Sequence, residues 1–144
     1  DQTGTYRAID EMQRFLDYFP NSERAKQAQD IIFELQDKLV YKELLNAQLY
    51  YNLGNYMGNN YQSAIITAQN ALKEYPYTRY KETLSMLILK SKYQEAVQSI
   101  EEKKPERFRD VIDEYYSFIN DYPSGEYSKE AENIFKVANK YVKD

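Results

Sequence analysis

The sequence predicts an all-α protein, a tetratricopeptide-like solenoid of about six antiparallel helices. Three observations carry this. Only four glycines and four prolines occur in 144 residues, so the chain has few places to break. Between the breaks, apolar residues recur at helical spacing, and no stretch alternates with the period of two that a half-buried strand needs. Three of the prolines sit in segments that align on one another, which makes the helices parts of a repeat.

Proline breaks helix interiors and disfavours helix at the residue before it. With the glycines it divides the chain into helices predicted over 3–18, 22–56, 60–74, 78–102, 105–121 and 125–142. The first carries Tyr6, Ile9, Met12, Phe15, Leu16 and Phe19 and stops at Pro20. The second has no proline or glycine between Ser22 and Leu53 and reads as one long helix, with Ala28, Ile32, Leu35, Leu39, Leu45, Leu49 and Leu53. "LGNYMGNN", with Gly54 and Gly58, separates it from the third, which carries Tyr61, Ala64, Ile65, Ala68, Leu72 and Tyr75. The fourth follows Pro76 with Tyr80, Leu84, Leu87, Ile88, Ala96, Val97 and Ile100. Pro105 suits the first turn of the fifth, and Glu106 complements its N-terminal dipole. The sixth follows Pro123 with Tyr127, Ala131, Ile134, Phe135, Ala138 and Tyr141.

Set in register on Pro20, Pro76 and Pro123, three segments coincide. Ala8, Ala64 and Val111 each stand twelve residues before their proline, and Leu16, Leu72 and Ile119 four before it. Phe19, Tyr75 and Tyr122 immediately precede it. Ala28, Leu84 and Ala131 stand eight after it, and Ile31, Leu87 and Ile134 eleven after it. The aromatic is expected to close one helix by packing back into the core. Ser22 and Thr78, two residues past their prolines, are placed to cap the next helix, a task left to Ser124 or Gly125 in the third copy. One helix–turn–helix unit cannot bury its apolar face alone, whereas stacked units can. Residues 1–144 are therefore expected to form a single repeat domain.

Composition removes several kinds of chemistry. There is no cysteine, hence no disulfide, thiolate metal site or cysteine nucleophile, and no histidine, the commonest general base and metal ligand. The formal charge is −4 with no basic stripe, which argues against nucleic acid. No run of about 18 apolar residues exists to span a membrane. "LGNYMGNN" does not join a strand to a helix as a phosphate loop must, and no stretch offers the alternating oxygens of a calcium loop. Glu101 with Glu102, and Asp110 with Asp113 and Glu114, are carboxylate groupings, but they lie among lysines and arginines and read as solvated helix faces. No catalytic, cofactor or metal site is expected.

The aromatic–proline corner resembles the tetratricopeptide repeat, and "NNYQSAIITAQNALKEYP" matches its second half, with Ala64, Ala68, Ala71 and Pro76 at the small-residue and proline positions. The prolines lie 56 and 47 residues apart, so the helices following them are longer than standard. Long helices and "YP" corners, carried by "DQTGTYRAIDEMQRFLDYFPNSERAKQA", "IIFELQDKLVYKELLNAQLYY" and "NYQSAIITAQNALKEYPYT", resemble the family of BamD, the lipoprotein subunit of the outer-membrane β-barrel assembly machinery. The resemblance runs over residues 1 to about 100. It implies the C-terminal part of that family's repeat array, with N-terminal repeats and the lipid-bearing cysteine upstream. It also implies a non-enzymatic scaffold at the periplasmic face of the outer membrane. The partners it implies are the periplasmic domains of a BamA-like barrel-forming subunit and unfolded outer-membrane protein segments, with no nucleic acid and with membrane contact only through the anchor.

The sequence holds 16 tyrosines. Tyr75 and Tyr122 are expected to be structural. Tyr50, Tyr51, Tyr56, Tyr61, Tyr77 and Tyr80 are expected around one inter-helix junction, as candidates for a partner surface, because tyrosine offers large contact area with little rotamer freedom to lose. Arg79, Arg107 and Arg109 are candidate rim contacts. Two other roles remain open: a generic peptide-binding adaptor of the cell envelope, and a helical regulatory domain of an enzyme.

Overall fold

The computed structural model describes residues 2–142. Among these residues the structure is all-helical: α1 (Thr3–Tyr18), α2 (Ala25–Leu53), α3 (Asn60–Glu74), α4 (Lys81–Val97), α5 (Lys104–Asp121) and α6 (Ser128–Val142), with a short 3₁₀ turn at Glu101–Lys103. Each helix packs antiparallel on the next, and α4 also touches both α2 and α6. That pattern is a tetratricopeptide-like solenoid.

The three proline corners are one joint built three times. The residue before each proline leaves helix with nearly the same backbone: φ −131°, ψ 59° at Phe19; φ −127°, ψ 68° at Tyr75; φ −134°, ψ 66° at Tyr122. Each donates its N–H to the carbonyl four residues back, at 2.8, 2.9 and 2.9 Å. Beyond each corner the same first helical bond forms at 2.9 Å, from Ala28 to Arg24, Leu84 to Tyr80 and Ala131 to Tyr127.

The helices after the corners begin at residues 25, 81 and 128, three later than the spacing predicts. Short turns intervene: Ser22 N–H donates to Phe19 O at 3.2 Å, and Ala25 N–H to Ser22 O at 3.0 Å. The hydroxyls of Ser22 and Thr78 therefore accept from the N–H two residues on, of Arg24 (3.2 Å) and Tyr80 (3.3 Å). They hold the corner and do not cap the first helical turn. In the third copy Gly125 serves through its carbonyl, which takes both the N–H and the hydroxyl of Ser128. The helix ends also differ from expectation. α2 stops at Leu53 because Gly54 turns to φ 56°, ψ −121°. α4 stops at Val97, where Ser99 Oγ donates to Ala96 O at 2.6 Å and Ile100 is extended; a serine hydroxyl bonding backward competes with the helix for that carbonyl.

Two apolar clusters share α4. One joins Val40 and Ala47 of α2, Ile65, Ala68 and Ala71 of α3, and Leu84, Leu87 and Ile88 of α4. The other joins Met86, Leu89 and Ala96 of α4 to Phe108, Val111 and Phe118 of α5 and to Ala131, Ile134 and Ala138 of α6. A helix packed from two sides needs apolar residues on more than one face, and the run Met86, Leu87, Ile88 and Leu89 of α4 supplies them. Tyr75 and Tyr122 pack against these clusters as expected. Phe19 does not: it stands 58% exposed, and α1 has no fully buried residue. Ala71 and Phe118, the equivalents of Phe15 five residues before the proline, are buried, whereas Phe15 is half-buried beside Met12, Ala28 and Ile31 in an open apolar groove.

Candidate partner-binding surface

The second corner holds an exposed arginine fixed by a nearly buried carboxylate. α2 is 29 residues long, so its middle passes beside the α3–α4 turn. From there Asp37 reaches into the corner. Its Oδ1 accepts the Thr78 hydroxyl at 2.6 Å and the Arg79 N–H at 3.3 Å, and its Oδ2 accepts Arg79 Nε at 2.8 Å. The Asp37 side chain is 12% exposed and that of Arg79 64%. Burial alone would raise the Asp37 carboxyl; the bonds from Thr78 and Arg79, with the guanidinium charge, outweigh it and hold the group below its ordinary value. Asp37 in turn raises Arg79.

Aromatic pairs flank this ion pair. Phe33 meets Tyr77 edge-on at 6.2 Å, and Tyr41 meets Tyr80 at 5.6 Å. Tyr77 is 83% exposed, while Tyr41 and Phe33 are near half. Two shallow cavities of about 250 Å³ each lie on either side of Asp37, one beside Phe33 and Tyr77, the other beside Tyr41, Tyr80 and Arg79.

The candidate tyrosines do not form one group. α3 separates them: 15 residues span about 22 Å, so its two ends are distinct places. Tyr77 and Tyr80 lie at the corner. Tyr50, Tyr51, Tyr56 and Tyr61 lie at the opposite end, around the α2–α3 turn. There Tyr61 is buried, its ring against Tyr51 at 5.8 Å and its hydroxyl taking a bond from Gln98 at 2.9 Å, which makes it part of the joint. Tyr51 is half-buried beneath Lys90, whose Nζ lies 4.9 Å from its ring centroid. Tyr50 and Tyr56 are exposed. The turn is tied to α4 through Asn55 with Gln98 and Asn59 with Glu95.

Arg107 and Arg109 stand elsewhere, on α5. Arg109 is exposed, and Arg107 lines a polar cleft of about 240 Å³ with Gln62, Gln69 and Lys92. Of the acidic groupings, Glu101 pairs with Lys104 and Glu114 with Lys92, each at 2.8 Å. Sequence reasoning missed Phe33, Asp37 and Tyr41. Their signal is a spacing of four along α2, which puts them on one ridge.

Fold and surface define a class, the helical-repeat proteins that present side chains on rigid joints. Residues 1–88 match the YfiO family, described as outer membrane lipoprotein. That stretch covers more than half of the chain and takes in the first two corners and all of α2, and the chain belongs to this family. It has no match among curated proteins.

Proposed function

We propose that the chain is a non-enzymatic scaffold subunit of the outer-membrane β-barrel assembly machinery, a BamD-type protein in which residues 1–144 act as one repeat domain. It works at the periplasmic face of the outer membrane and holds the periplasmic domains of a BamA-like barrel-forming subunit. The observation that carries this is the family match over residues 1–88, joined to the pre-ordered exposed face at the second corner that those residues build. Tyrosine and arginine are the residues on which interfaces most often depend, and groups held in place before binding lose little entropy on docking. Calorimetric titration of the chain with those periplasmic domains is expected to give saturable one-to-one binding. Heats equal to those of dilution across the titration contradict the assignment.

A second role, capture of an extended peptide as an envelope adaptor, is favoured by the α3–α5 cleft, where Gln62 and Gln69 offer amides and Arg107 a cation. Tight capture of short linear peptides on an array, with no binding to folded domains, selects it.

A further inference from the structure

Resting on the scaffold role proposed above, we infer that the partner is read at the second corner, and that what it presents to Arg79 is a carboxylate set between apolar side chains on a folded domain. Asp37 accepts from Arg79 through Nε alone, at 2.8 Å, because its other oxygen is occupied by Thr78 and the Arg79 backbone. The hydrogen bonds of the Arg79 side chain among the described residues run through Nε, and its terminal guanidinium nitrogens make none there. An arginine in that state is a planar fork of N–H donors with its rotamer already chosen. The ligand that satisfies such a fork is a carboxylate bound through both oxygens.

The surroundings narrow the chemistry further. Phe33 with Tyr77 and Tyr41 with the partly buried Tyr80 form two ring pairs beside the fork, so a ligand seated here must cover the exposed rings of Phe33, Tyr77 and Tyr41. Burying those rings excludes water from the ion pair, which is what makes a charged contact contribute to binding. A lone acidic side chain on a flexible peptide pays the entropy of ordering and covers little ring surface. A folded domain with an acidic residue ringed by apolar ones meets both demands. Glu34 and Lys38 beside the fork balance each other, as Asp37 and Arg79 do, so what this face offers a carboxylate is the remaining N–H donors of Arg79 and not a net positive charge.

The test is titration of the intact chain with the barrel-forming subunit's periplasmic domains. Tyr77→Ala removes a ring that is 83% exposed and carries no part of the joint, so its fold is expected to be unchanged. Tyr77→Ala and Arg79→Gln are each expected to weaken binding at least about tenfold. Arg79→Lys, which keeps the charge and loses the fork, is expected to remain weakened, while Arg107→Gln and Arg109→Gln stay within about twofold. The wild-type affinity is expected to fall with added salt, and that of Arg79→Gln to change less. Wild-type binding with Tyr77→Ala and Arg79→Gln both at wild-type affinity overturns the inference and leaves the scaffold role standing. Absence of wild-type binding overturns both.

Discussion

Gly54 ends α2 with φ 56° and ψ −121°, a backbone that residues with a side chain rarely adopt. A Cβ built there falls 2.7 Å from the Tyr61 hydroxyl. Both facts act against any side chain, and Gly54→Ala is expected to cost about 2 kcal/mol, seen as a lower urea midpoint; an unchanged midpoint contradicts it. Gly125 is glycine for another reason. It occupies the position of Ser22 and Thr78, and a Cβ there would overlap the carboxylate end of the Glu82 side chain. Glu82 Oε1 is buried with no hydrogen-bond partner among the described residues, so α4 fills the corner with a carboxylate in place of the missing hydroxyl. Gly125→Ala is expected to destabilise the wild type and to do so less in a Glu82→Ala background. The coupling in the double-mutant cycle is expected to be about 1 kcal/mol, and additivity of the two changes excludes this account of the glycine.

At the scale of an element, α2 is the member that ties one repeat to the next. Its Asp37 clamps the α3–α4 corner from 41 residues away in sequence. Because the folded carboxyl is held below its ordinary value of 3.8, the stability it contributes is present above about pH 4 and is lost as pH falls through the folded value. Asp37→Ala is therefore expected to cost about 2 kcal/mol at pH 7, and the gap to wild type is expected to narrow below pH 4. Thermal melts of both proteins between pH 7 and pH 2.5 check this; a gap that is constant or widens on acidification contradicts it. The centres of all six helices are legible in the sequence because 3.6-residue periodicity and proline act locally. The starts after each corner are not, since turn hydrogen bonds such as Ser22 to Phe19 hold three residues outside the helix. The early end of α4 has only Ser99 to announce it. Burial of Asp37 between Gln36 and Lys38 has no local cause at all, since its partners Thr78 and Arg79 arrive through packing.

Across the whole molecule, three joints of like backbone geometry stack the hairpins in series, and α4 belongs to both cores. The repeat was legible because the corner residues recur in fixed register. The grouping of the tyrosines was not, because adjacency along the chain does not show that the 15 residues of α3 hold Tyr61 and Tyr77 at opposite ends. The candidate surface is thus a product of the stacking: Phe33 and Asp37 from one unit, Tyr77 and Arg79 from the next. The central claim is that this inter-unit face docks a folded partner domain. Titration of isotope-labelled chain with unlabelled periplasmic domains of the barrel-forming subunit, followed by amide and arginine side-chain NMR shifts, tests it most directly. The expected result is shifts concentrated at Phe33, Asp37, Tyr41, Tyr77, Arg79 and Tyr80. Shifts confined to the Gln62–Arg107 cleft or to the α2–α3 turn would contradict it.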